Sequence, residues 1–264
     1  MRNIFIYMVI VLSIMLNLQT VRAEDYKFFN INFMAGMDAK NPYNNKNDQY
    51  IELEFGGTSG IMELYGYVDI LDAYHNKNSD NNGASNLFLE IKPRFKIYEF
   101  DAGFLKNLYI STASLVDGGN GLFHESIGLG TNIFGLGFNV YTVYKFEDFG
   151  SSAEKSFDGI RLDLSWFKPL YHFSEKNFIA YQGYFNYIFS ANNIAKDINR
   201  TEDELQTFQG LYFHFQDKFA IGYGLKVFKN MGYYKNNTTY NVATDTLSFK
   251  STGIGHYVAL TYKF

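Results

Sequence analysis

The stretch His256-Tyr-Val-Ala-Leu-Thr-Tyr-Lys-Phe264 governs the reading of this chain. Counting back from Phe264, every second residue is large: Tyr262, Leu260, Val258, His256. The intervening Lys263, Thr261 and Ala259 are polar or small. A period of two places the two sets on opposite faces of a strand. A terminal strand closing on a bare aromatic suits the last strand of a bacterial outer-membrane barrel, with Phe264 in the aromatic girdle at the lipid–water boundary. An edge strand of a soluble sandwich has the same pattern, so the ending needs support from elsewhere.

The N-terminus supplies it. Arg2 precedes an apolar run from Ile4 to Leu16, followed by a more polar stretch and Val21-Arg22-Ala23. These are the three regions of a secretory signal peptide. The run is shorter than the ~20 apolar residues of a spanning helix. Residues 1–23 are therefore expected to be removed after Ala23, leaving residues 24–264 as one exported barrel domain. Glu24 is not Cys, which argues against a lipoprotein.

Composition narrows the class further. The exported part, about 241 residues, suits a single domain. With no Cys, neither a disulfide nor a thiolate metal site is available. No second apolar run approaches ~18 residues, which excludes a helical membrane protein. The 27 Phe, 22 Tyr and 23 Gly, against only 3 Pro, favour strands and turns. A net charge of −4 without a basic cluster gives no sign of a nucleic-acid partner. The 5 His are scattered without ligand spacing, so no metal or other cofactor is expected.

Alternation recurs near residues 28–37, 49–55, 61–70, 87–97, 105–116, 122–131, 136–147, 157–167, 178–189, 205–216, 219–228 and 252–264. Odd-numbered connections are long and polar (38–48, 71–86, 148–156, 190–204, 229–251), with 117–121 the short exception. Even-numbered ones are mostly tight, such as Gly56-Gly57-Thr58-Ser59-Gly60 and Asp217-Lys218. Long external loops alternating with short periplasmic turns, over an even strand number, describe an outer-membrane barrel. The fold expected is all-β: a single transmembrane antiparallel barrel of twelve strands.

Charge then fixes which face is which. A Lys or Arg facing lipid at the bilayer midplane costs ~2–4 kcal/mol, so charged positions point into the lumen. That rule turns Tyr50, Glu52 and Glu54 inward in the second strand, with Ile51, Leu53 and Phe55 outward. It turns Glu63, Tyr65, Tyr67 and Asp69 inward in the third, and Phe88, Glu90, Lys92, Arg94 and Lys96 in the fourth. Asn139, Tyr141 and Lys145 follow in the seventh, Arg161 and Asp163 in the eighth, and Lys226 in the eleventh. Twelve strands enclose a narrower lumen than the 16–18 of open porins, and these side chains reduce it to a slot. Charges that pair would brace or plug a purely structural or adhesin barrel. Left accessible, the aromatic faces would stack a flat solute while nearby charges bond its polar edge, a ring being worth ~1–3 kcal/mol per base.

Several blocks in order carry a family resemblance: DQYIELEF (48–55), ELYGYVD (63–69), LFLEIKPRF (87–95), GLGTN (128–132), the FDG-R core (157–161) and the ending STG-G-YVALTYKF (251–264). Together they resemble the nucleoside-specific channel-forming porins, a Tsx-like and OmpK-like family. Trp166 is the only Trp, where the family uses several, and the loops at 71–86 and 190–204 match poorly. The resemblance implies a monomeric outer-membrane barrel passing nucleosides or similar small flat solutes. The matching lumen positions are Tyr50, Glu52, Glu54, Tyr65, Tyr67, Glu90, Arg94 and Arg161, with Lys226 at an arginine-like position. The terminal strand and Phe264 suit recognition by the barrel assembly machinery.

One enzymatic alternative arises at His124-Glu125-Ser126, similar to the His-x-Ser pair of outer-membrane phospholipases, with Asn132 or Asn139 as orienting partner. Two-residue spacing puts His124 and Ser126 on one face, as a base and nucleophile require. Ile127 and Leu129 claim the lipid face, however, which turns both inward and away from a phospholipid. No catalytic residue is therefore expected.

Overall fold

Alternating aromatic and polar residues, punctuated by turn-formers, organise the chain into strands that pair only with their neighbours until the last meets the first. The computed structural model describes residues 26–40, 47, 49–73, 87–100, 104–117, 121–242 and 245–264. The strands are β1 (Tyr26–Met37), β2 (Gln49–Ser59), β3 (Met62–Leu71), β4 (Leu87–Glu99), β5 (Leu105–Asp117), β6 (Leu122–Ile133), β7 (Leu136–Asp148), β8 (Ser156–Ser174), β9 (Asn177–Phe189), β10 (Glu204–Phe215) and β11 (Phe219–Lys229). A short hairpin, β12 (Thr238–Val242) and β13 (Asp245–Phe249), stands in the last long connection before β14 (Gly253–Lys263). Twelve of these form one closed barrel, with β14 paired to both β11 and β1. Closure leaves no sheet edge, so the backbone can cross lipid with its donors paired. The expected signal peptide, residues 1–23, lies outside the described residues, as do parts of the loops at 38–48, 71–86 and 117–121.

Two element boundaries differ from the sequence reading. Gly56–Ser59 is not a turn but the end of β2, and the turn is Gly60-Ile61. Only Gly60 there takes a left-handed φ, of 58°. Gly57 serves close approach instead: a Cβ on it would lie 2.2 Å from the Tyr26 carbonyl oxygen of β1. β8 runs seven residues past Phe167, to Ser174. Register shifts at Pro169/Tyr171 and His172/Ser174 let pairing to β9 resume after a proline that has no N–H to give.

The short-turn end carries the girdle. Rings touch in sequence from Tyr171 through Phe173, Phe213, Phe215, Phe219, Tyr262 and Phe264 to Phe29, with centroids 4.9–5.8 Å apart. Phe264 thus lies in an aromatic band that bridges β14 to β1, and its N–H donates to the Phe29 carbonyl at 3.0 Å. On the outer face Phe55 fills the notch left by Gly66, where a Cβ would lie 2.7 Å from its ring.

Candidate functional site

Side chains from strands that are not neighbours can meet only across the lumen, and several do. Arg161 of β8 donates to Glu90 of β4 at 2.7 Å and, through Nε, to Asp163 at 2.6 Å. Lys92 of β4 bridges Asp163 at 3.1 Å and Glu90 at 3.0 Å. Two cations and two carboxylates thereby neutralise one another in a buried four-way network. Arg94 donates to Asn132 of β6 at 2.9 Å, lies 3.7 Å from Glu63, and stacks on Tyr109 with Cζ 3.9 Å from the ring centre. The Tyr109 hydroxyl donates in turn to Glu63.

These contacts fill one half of the barrel. Glu90, Arg94, Tyr141 and Arg161 all face inward, as their parity requires, but are buried in that filling. Lys145 is sealed completely, with 0% exposure. It lies 3.4 Å from Asp148 and 3.6 Å from Asp158, under the Tyr233 ring at 3.9 Å. Tyr233 comes from the long β11–β14 connection, while Asp158 also accepts the N–H groups of Asn193 and Ile194 from the β9–β10 connection. Lys145, expected to line the solute path, instead holds external loops to the wall, since loops absent from a strand pattern cover it.

The other half combines a buried cluster of Met34, Tyr50, Phe208, Tyr212 and Tyr257 with a partly open lining. Glu52, Glu54, Tyr65, Tyr67, Asp69, Phe88 and Lys226 are only partly covered, and Tyr65 is 38% exposed. Asn32 donates to Glu52 at 2.6 Å; Asn30 and the Tyr65 hydroxyl donate to Glu54 at 2.9 and 3.2 Å. Tyr67 stacks with Phe88, centroids 6.1 Å apart and planes 25° apart. On β9 and β10 a second stacked pair, Tyr184 and Phe208, stands at 6.2 Å and 28°. Lys226 sits 4.9 Å from the Tyr257 ring centre and 5.9 Å from that of Tyr50, which is itself buried. The arrangement offers ring faces on two walls, with acceptors on one and an ammonium group on another.

Tyr184, Phe208, Asn30 and Asn32 were not among the expected site residues. Both faces of β9 are aromatic, with Tyr181, Phe185 and Tyr187 opposite Tyr184, and no charge there sets the parity. In β1 the alternation of Asn30 and Asn32 with Phe29, Ile31 and Phe33 was a usable signal.

His124 and Ser126 face inward and are buried. His124 Nε2 lies 3.3 Å from Asp148 Oδ1, and among the described residues no hydrogen bond joins His124 to Ser126. Both thus lie on the lumen side, turned away from a membrane phospholipid.

The comparisons agree with this geometry. The family model described as nucleoside-specific channel-forming protein, Tsx, matches residues 23–264. The outer membrane protein OmpK of Vibrio parahaemolyticus is 34% identical over 260 residues, covering 92% of this chain and 90% of that protein. The nucleoside-specific channel-forming protein Tsx of Salmonella typhimurium is 30% identical over 236 residues, covering 83% and 81%. Among solved structures, the NanC porin superposes with a TM-score of 0.51 at 11% identity, over 89% of this chain and 100% of that one, a likeness of fold alone. By the family model and by these relatives, the chain is an outer-membrane barrel that belongs to the nucleoside-specific channel-forming (Tsx) family.

Proposed function

We propose that this barrel is a passive diffusion channel for nucleosides and similar small flat solutes, acting as a monomer and without catalysis. The observation that carries the reading is the pair of stacked aromatic walls, Tyr67–Phe88 and Tyr184–Phe208, in which Tyr67, Phe88 and Tyr184 keep partly open faces near Glu52 and Glu54 and Phe208 is the buried backing of Tyr184. A base stacks on such rings regardless of its identity, while the carboxylates accept hydrogen bonds from ribose hydroxyls and base amino groups. Binding of this kind recruits solute yet releases it, as conduction requires. The N-terminal 23 residues would direct export, and β14 with Phe264 would be the element read during assembly.

Uptake into liposomes tests the proposal. Nucleoside flux should saturate and exceed that of sugars of similar size. Tyr67→Ala and Tyr184→Ala should each weaken apparent solute binding by ~1–3 kcal/mol. A channel that binds near millimolar has only ~4 kcal/mol in hand, so either change should abolish saturation. Equal falls in nucleoside and sugar flux would reduce these rings to mere wall.

A further inference from the structure

We propose that the periplasmic neck of the lumen holds a second binding site, for flat aromatic carboxylates arriving from the periplasmic side. Four side chains build it: Phe178, His214 and Lys263 near the short-turn ends of β9, β10 and β14, and Phe167, seven residues before the end of β8. The rings of Phe178 and His214, register partners on adjacent strands, stack with centroids 4.4 Å apart and planes 5° apart. Phe167 stands edge-on to both, 6.4 Å from Phe178 and 5.7 Å from His214, and is itself 54% exposed. Lys263, next to the chain's last residue, places its Nζ 2.6 Å from His214 Nδ1 and 5.7 Å from the centre of Phe178.

The polar groups of this cluster are all donors. The ammonium of Lys263 gives one hydrogen to Nδ1, which puts the imidazole proton on Nε2. His214 is only 4% exposed, yet its Nε2 has no hydrogen-bond partner. A buried donor left unmatched is costly and calls for an acceptor. Asp217, in the adjacent turn, acts on Lys263 through its charge without hydrogen-bonding it, and pairs with Lys176 at 3.7 Å. A ligand that completes the cluster therefore brings a negative acceptor for Lys263 and a flat face for Phe167. An aromatic carboxylate has both in one plane. The cluster lies toward the short-turn side of the lumen, so access is from the periplasm and occupancy obstructs the exit.

The test uses the full-length barrel in planar bilayers, with benzoate as probe and acetate as the ringless control. Benzoate added on the short-turn side should block the current saturably, at a concentration about tenfold below that of acetate. Added on the loop side, it should block weakly. Lys263→Gln should raise the half-blocking concentration about tenfold, the loss expected for one charge-assisted hydrogen bond. Phe167→Ala, which changes an exposed ring and not the last strand, should raise it about fivefold and decides the matter if Lys263→Gln fails to assemble. Equal block by benzoate and acetate, equal block from both sides, or block insensitive to Phe167→Ala would overturn the proposal. Nucleoside flux through the same preparation reports the channel separately, so a conducting barrel indifferent to benzoate refutes this site alone.

Discussion

Arg161 shows how a single side chain can organise half a lumen. Its guanidinium fork joins Glu90 and Asp163, and Lys92 closes the ring from the other side. Removing one member of a buried ion network strands its partners, typically at ~3–5 kcal/mol. Arg161→Ala should lower unfolding free energy by that amount in urea titrations in phospholipid vesicles. The double change Arg161→Met with Glu90→Gln leaves Lys92 and Asp163 paired, and should recover most of the loss. A single variant within about 1 kcal/mol of wild type would make the network ordinary solvated lining. The inward parity of these residues was legible because charge is so unwelcome on a lipid face. Their partners were not legible: parity turns Glu90, Arg94 and Arg161 inward without saying that Arg161 meets Glu90 while Arg94 meets Glu63 and Asn132. Pairing across a barrel depends on how far each strand slides past the next, and the long β3–β4 connection leaves that slide unspecified.

At the scale of elements, β14 was the clearest strand in the sequence and β8 the least complete. β14 alternates without interruption to the terminus, whereas in β8 Lys168 and Pro169 break the pattern where bulges carry the strand onward. Phe264 lies against Tyr262 and Phe29, so its ring sits where the barrel closes. Deleting it should leave β14 able to pair yet weaken closure, lowering the folded fraction in vesicles several-fold, as read by the heat-dependent gel shift of folded barrels. Full folding of the truncated chain would dismiss this role. The loop anchored by Tyr233 makes a different demand. Tyr233→Ala removes the ring over Lys145, a loss of ~3 kcal/mol if confined to that contact. Local opening should then expose residues 190–203 and 230–237, raising protease cleavage there at least about tenfold while the strand signal in circular dichroism stays unchanged. Cleavage at the wild-type rate would mean the loops are held elsewhere. No strand-based reading could find this anchor, since it joins a wall lysine to segments outside the alternating pattern.

Over the whole molecule, a filled half around β4–β8 faces the partly covered Glu52, Glu54, Tyr65, Tyr67, Phe88 and Tyr184, while the opposite wall carries its own buried cluster of Tyr50, Phe208, Tyr212 and Tyr257. That asymmetry explains how twelve strands can bind a small flat solute without closing the pore: one side supplies rigidity, the other the path. Arg94 stands at the border between them. It is nearly buried, stacked on Tyr109, and its removal would not orphan Glu63, which still accepts the Tyr109 hydroxyl. Arg94→Ala should therefore cost only about 1–3 kcal/mol in unfolding, the range for losing hydrogen bonds to a charged group. The larger consequence should be in selectivity. The space vacated beside Tyr109 widens the slot without touching the Tyr67–Phe88 or Tyr184–Phe208 pairs. Sugar flux in liposomes should rise severalfold while the half-saturating nucleoside concentration moves less than about twofold. Were both solutes to rise together with loss of saturation, the aromatic walls would depend on the filled half for their position. Were neither to change, the filled half would not border the path at all.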